Sequence, residues 1–168
     1  MEKQITFLET HLDYGLIGTN AIIINENENE LYRLTRHPTD TSIRKNMLVG
    51  NCFVHPSIVM RTTALQQAGG SYNPLWNLVE DYELRLRIGR ISKMANLSDY
   101  GVKYRINTSS ITRTYYKKQK RLTFKLFWEN IKYYPHNIIK ALIFRIGEII
   151  VPPIITLWIL KKLKNINV

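Results

Sequence analysis

The chain has 168 residues, of which 45% are hydrophobic, enough for one domain with a real core. Its single cysteine, Cys52, excludes an internal disulfide and suits a reducing compartment, and the opening MEKQITFLETH lacks the basic-then-apolar pattern of a secretory signal peptide. The net charge of +11 is uneven: residues 1–112 hold 12 Lys+Arg against 11 Asp+Glu, whereas residues 113–168 hold 12 against 2. Such a basic end meets phosphate, either in nucleic acid or at an anionic membrane surface.

In chain order, residues 2–11 read as a short helix with Ile5, Phe7 and Leu8 on its inner side. YGLIGTNAIIIN is a β-branched apolar run, expected as a buried strand. The polar NENENE suits a hairpin or exposed loop, and ELYRLTR returns as a partner strand. HPTDTSIRKNMLVG begins with turn chemistry and continues as a helix capped by Thr39, Asp40 or Thr41. NCFVHPSIVMR is strand-like, with Pro56 at a bulge or edge because it has no N–H to donate. TTALQQAGG is a compact helix in which Thr63 and Gln66 have capping-box spacing and Gly69 or Gly70 takes the left-handed conformation that ends it.

LVEDYELRLRIG, residues 78–89, carries two conflicting signals. Tyr82, Leu84, Leu86 and Ile88 alternate with charged residues, the period of a half-buried strand, yet Glu, Leu and Arg are helix formers. Beyond it, ISKMANLSDYGVKYRINTSSIT gives one or two strands, broken at Ser98 to Gly101. Strands interleaved with short helices point to an α/β layered fold.

From about Tyr115 basic residues mix with Trp, Tyr, Phe, Ile and Leu. The uncharged run between Glu148 and Lys161 is 12 residues, short of the roughly 20 a spanning helix needs, and Pro152-Pro153 interrupts it. The tail fits a basic amphipathic helix pair lying at a membrane interface; the alternative is a helical extension packed on the domain or on another subunit. Its apolar content exceeds what tracking a phosphate backbone requires, so nucleic acid is the least favoured partner.

Taken alone, the adjacent acids Glu80 and Asp81 beside arginines suggest a solvated helix face with i,i+4 ion pairs. Their company points further. FVHPSIVMR, a helix ending in GG, EDYELRLR and a late YR strand occur in one order at compact spacings. That ordered set resembles the C-terminal, acceptor-side half of family 2 glycosyltransferases, over about residues 2–112.

The resemblance implies a partial GT-A-like, Rossmann-like mixed sheet with flanking helices over residues 1–112, followed by a basic and apolar helical extension over 113–168. It implies Asp81 as the general base that deprotonates an acceptor hydroxyl, with Glu80 positioning the acceptor or donor sugar. His55, Gly69 and Gly70 match positions on the sugar and acceptor side, and Arg105 the late arginine near the donor phosphates. Complete members use a divalent metal, Mn or Mg, held by an aspartate pair. No such pair stands in this sequence: Asp13 is alone in LDYG, and Asn107 occupies a position that is often histidine. Asparagine is a poor ligand, so no metal site is assigned to this chain.

The resulting expectation is a split or truncated glycosyltransferase, inactive alone and completed by a chain supplying the nucleotide-binding half. Its substrates would be a nucleotide-sugar donor and a glycan or lipid-linked acceptor, in cell-surface polysaccharide synthesis. Its place would be cytoplasmic, peripheral at the cytoplasmic membrane face. A non-catalytic membrane adaptor on a degenerate transferase fold is the alternative.

Overall fold

The structure, a computed structural model, describes residues 1–106 and 115–150. The candidate residue Asn107, the SSIT segment and the Pro152-Pro153 pair lie outside the described residues.

A mixed four-stranded sheet forms the centre. The apolar run is β1, Tyr14–Ile24, and the polar turn after it returns as β2, Glu30–Leu34. Asn25 holds that turn, its Oδ1 accepting the N–H groups of Asn27 and Asn29. One edge of β1 pairs in parallel with β4, Lys93–Arg105. The other edge is shared by two antiparallel partners, β2 along residues 21–24 and the short β3, Val59–Met60, along residues 16–17. Strand β4 is continuous, and the interruption expected at Ser98 to Gly101 is a register shift: Thr19 faces Leu97 while Asn20 faces Tyr100. Gly101 is needed there, because a Cβ would come within 2.6 Å of Thr19 Oγ1, to which its own N–H donates.

Alternation along β1 sends neighbouring residues into different layers. Ile17 packs with Leu8 of α1, Glu2–Thr10, on one face of the sheet. Leu16 joins the main core with Ile43, Phe53, Leu86, Ile88 and Met94. Helix α2, Asp40–Asn46, starts at Thr39, whose hydroxyl accepts the Ser42 N–H while Ser42 Oγ reaches back to the Thr39 N–H. Helix α3, Thr62–Gln67, ends in Gly69 and Gly70 at φ +93° and +81°. Gly70 N–H donates to Leu65 O and Gly69 N–H to Gln66 O, the double closure typical of a left-handed helix stop.

Three expectations need correction. In α1 it is Gln4 that is buried, donating to Ile17 O and Ser57 O, whereas Ile5 is exposed; two buried carbonyls at the end of the sheet needed a donor there. NCFVHPSIVMR is mostly not strand: residues His55–Ser57 form a 3-10 turn, because Pro56 cannot join a ladder and Ser57 Oγ instead donates to Val54 O. Thr63 and Gln66 form no capping box, since the residue that caps α3 is Arg61, two positions before Thr63. Arg61 takes another task, its Nε donating to Tyr14 O.

Residues 78–89 are helical. Helix α4, Glu80–Ile91, runs against the sheet with Tyr82, Leu84, Leu86 and Ile88 all buried, so the strand-like alternation reflects burial on two sides of a helix. The i,i+4 pairs expected on a solvated face are present but interior: Arg85 with Asp81, and Arg87 with Glu83. Only Arg90 of the helix's basic residues is exposed.

Two further helices follow, α5, Tyr116–Asn130, and α6, Ile138–Ile150. Leu126, Phe127, Tyr134 and Ala141 belong to the main core, and Tyr134 donates its hydroxyl to Leu86 O in the middle of α4. A Cβ at Gly89 would overlap Tyr134 Oη and Met94 Cε, so glycine there lets the α5–α6 connection seat against α4. Among the described residues no helix is long and apolar enough to cross a membrane.

Cys52 is buried in the main core, 2% exposed, and burial pushes its thiol up to about 11.

Candidate active site

The sheet's β2 side, the His55–Ser57 turn, the start of α4 and the α5–α6 pair enclose a cleft of about 810 Å3. Its walls include Tyr32, Leu34 and Tyr104 from the sheet, Asn51, Phe53, Val54, His55 and Pro56 from the turn and the segment before it, and Gln119, Lys120, Phe144, Arg145 and Glu148 from the helices. Leu78, Val79, Asp81, Tyr82 and Arg85 form the part between.

The chain enters α4 through an unusual backbone. Leu78 has φ +87°, a left-handed conformation that side chains with a Cβ rarely adopt. Gln119 of α5 clasps that residue, its Nε2 donating to Leu78 O at 3.0 Å. The result places Glu80 and Asp81 in the first turn of α4, where the helix dipole favours carboxylates.

Of these two acids, Asp81 is the one that reaches the cleft. Its Oδ1 accepts its neighbour's N–H, from Tyr82 at 2.7 Å, and its Oδ2 accepts Arg85 Nη2 at 2.9 Å. His55 Nδ1 stands 3.8 Å from the same Oδ2, at ion-pair range when the imidazole is protonated. The carboxylate remains 32% exposed while Arg85 beneath it is 2% exposed, so the acid is oriented from below and open above. A fixed, partly exposed carboxylate next to an imidazole can accept a proton from a hydroxyl laid across the cleft. Beside them Tyr82 donates its hydroxyl to Met47 O at 2.6 Å, and burial pushes that phenol up to about 12, which keeps it a neutral structural donor.

The other residues singled out in the sequence fall elsewhere. Glu80 is the neighbour of Asp81 but does not line the cleft; its Oε2 is buried with no hydrogen-bond partner. Gly69 and Gly70 lie behind α4. Their turn presents the carbonyls of Ala68 and Ser71 to the Arg87 guanidinium, which also holds Glu83, so the glycines fasten α3 to α4. Arg105 points away, because Tyr104 and Ile106 on either side line the cleft and a strand alternates; it pairs with Glu28 of the hairpin at 2.8 Å. Asp81 and His55 are therefore the two candidates that the fold brings together.

Sequence reasoning missed four cations in the cleft: Arg36, Arg85, Lys120 and Arg145. Lys120 and Arg145 both pair with Glu148, and Arg145 also donates to Leu48 O. The only sequence signal was the arginine inserted among the apolar positions of ELRLRI, which had an ordinary surface reading. Among the described residues no group of three or more His, Cys, Asp or Glu could hold a metal ion.

No protein-family model matches the chain. It is 32% identical over 120 residues to the O-antigen biosynthesis glycosyltransferase WbnJ of Escherichia coli, covering 68% of this chain and 44% of that protein. It is 32% identical over 114 residues to the amylovoran biosynthesis glycosyltransferase AmsE of Erwinia amylovora, covering 67% of this chain and 41% of the relative. An uncharacterized glycosyltransferase of Haemophilus influenzae is 26% identical over 146 residues, which is 82% of this chain and 45% of that protein. The chain is thus related to glycosyltransferases, and its match spans less than half the length of each of these relatives.

Proposed function

We propose that this chain is the acceptor-side portion of a family 2 glycosyltransferase of GT-A type, moving a sugar from a nucleotide-sugar to an acceptor hydroxyl in cell-surface polysaccharide synthesis. The observation that carries this reading is Asp81, held by Arg85 and the Tyr82 N–H, one face open to the cleft and beside His55. In the reaction the acceptor oxygen bonds to the anomeric carbon, the bond from that carbon to the nucleotide diphosphate breaks, and the hydroxyl proton passes to Asp81. A sugar hydroxyl is a weak nucleophile, so a positioned base contributes about 10²–10⁴-fold. His55 would hydrogen-bond to the sugar, while Glu80, outside the cleft lining, is given no contact with it.

The leaving diphosphate needs positive charge to offset it. The described residues do not fit the Mn or Mg site of the complete family, so no step here is assigned to a metal. We assign donor and metal binding to a nucleotide-binding half, supplied by a preceding segment or a second chain.

The test is a transfer assay with the full chain combined with that half. The chain alone should turn over negligibly and the combination should be active. Asp81→Asn should lose about 10²-fold or more of kcat. Full activity in that variant would remove Asp81 from the mechanism.

Residence at a membrane face belongs to the same reading. Helix α6 exposes Ile139, Ile143, Phe144, Ile146 and Ile149, while α5 exposes Lys117, Lys118, Arg121 and Lys125. Apolar side chains flanked by cations suit an anionic lipid surface, where a lipid-linked acceptor would be met. Co-sedimentation with phosphatidylserine vesicles should fall in Ile139→Asp/Ile143→Asp; unchanged binding would exclude this face.

A further inference from the structure

The cleft holds more positive charge than its own acids neutralise. Glu148 is shared by Lys120 and Arg145, and Asp81 takes one donor from Arg85. Arg85 is 2% exposed, and its Nε and Nη1 meet no acceptor. Arg36 also lines the cleft, with a buried Nε that meets none. A guanidinium stays charged in proteins and cannot be silenced by losing a proton, so buried donors of this kind call for an anion or another acceptor. Arg36 and Arg85 line the same cleft, and burial pushes both guanidiniums below their ordinary range.

We propose that Arg36 and Arg85 form an oxyanion subsite that selects an acceptor bearing a carboxylate or a phosphate group. The proposal rests on the reading of this cleft as the acceptor site and adds the class of acceptor. A carboxylate or phosphate oxygen accepts charge-assisted hydrogen bonds from guanidinium N–H groups, whereas a neutral sugar presents hydroxyls that cannot balance the charge. Arg85 would then be shared between Asp81 and the acceptor's anion. The acceptor's anionic group would be fixed to the same side chain that orients the base, which sets its reacting hydroxyl relative to Asp81. A cleft of about 810 Å3 accommodates such a saccharide unit.

The subsite is tested by calorimetric titration of the full chain with glucuronate, inorganic phosphate and glucose. At least one anion should bind about tenfold or more tighter than glucose, and the stronger of the two identifies carboxylate or phosphate as the group read. Arg36→Gln and Arg85→Gln should each weaken that anion about fivefold or more, while Lys103→Gln, exposed on the face of β4 turned from the cleft, should not. Should Arg85→Gln fail to fold, Arg36→Gln carries the test. Equal affinity for anions and glucose, or equal losses in Lys103→Gln and Arg36→Gln, would overturn the subsite. The two readings separate cleanly. Loss of transfer in Asp81→Asn with wild-type anion binding in both arginine variants rejects the subsite alone. Arginine-dependent anion binding with full transfer in Asp81→Asn rejects the catalytic reading and leaves the subsite standing.

Discussion

One wall of the cleft hangs on backbone and the other on side chains. Tyr32 and Leu34 sit on β2 and Tyr104 on β4, strands laced to β1 by ladders of main-chain bonds. The opposite wall, α5 and α6, reaches the rest of the molecule through single side-chain donors: Gln119 to Leu78 O, Tyr134 to Leu86 O, Asn137 to Lys45 O and Arg145 to Leu48 O. Behind those bonds the wall joins the main core through Leu126, Phe127, Tyr134 and Ala141. The laddered wall tolerates the loss of any one side chain, because its geometry is fixed by groups every residue carries. The helical wall depends on a few large residues, and the cations Lys120 and Arg145 move with it.

The largest effect that would sharpen this contrast is Phe127→Ala. Emptying a fully buried aromatic site should lower stability by about 3–5 kcal/mol in urea unfolding. Tyr32→Ala, on the partly buried face of β2, should cost clearly less, and a reversed order would break the comparison.

A second, intermediate effect concerns the ion pair between the walls. Asp81→Ala strands the buried Arg85 charge and should cost about 3 kcal/mol or more, whereas Arg85→Met leaves a carboxylate that is one-third exposed and should cost less. Thermal unfolding of the two variants under one condition reads that asymmetry directly, and equal losses would mean that Arg85 is served by another partner.

The smallest effect is expected far from the cleft. Lys3 and Asp99 pair across α1 and β4 with both side chains largely exposed, so Lys3→Ala should change stability by less than about 1 kcal/mol. A larger loss would show that the exposed edge of β4 also depends on side-chain ties.

Most of the sheet and the helix order were legible because local chemistry decides them. The β-branched run made β1, Asn25 made the turn, Thr39 with Ser42 made a cap, and Gly69-Gly70 made a stop. The failures are tertiary. Gln4 is buried because two carbonyls from β1 and the Ser57 turn converge on it, which nothing in residues 2–11 reveals. HPS resembled strand because its neighbours are apolar, but one missing N–H was enough to turn it into a 3-10 turn. Of the candidate residues, Asp81 and His55 stand 3.8 Å apart in one cleft, a proximity that residues 26 positions apart in the chain do not reveal, whereas strand alternation turns Arg105 to the far face. Arg36 and Arg85 stayed hidden because an arginine's burial depends on what packs over it, here the cleft floor between two walls.

Cys52 gives the molecule a clock. It is the chain's single thiol, shielded in the core and kept protonated near neutral pH, and it sits between Asn51 and Phe53, which both line the cleft. Alkylating reagents reach it only when that packing parts, so the labelling rate counts the openings of this segment. Any molecule that settles in the cleft should slow the count, which makes occupancy measurable without knowing the reaction.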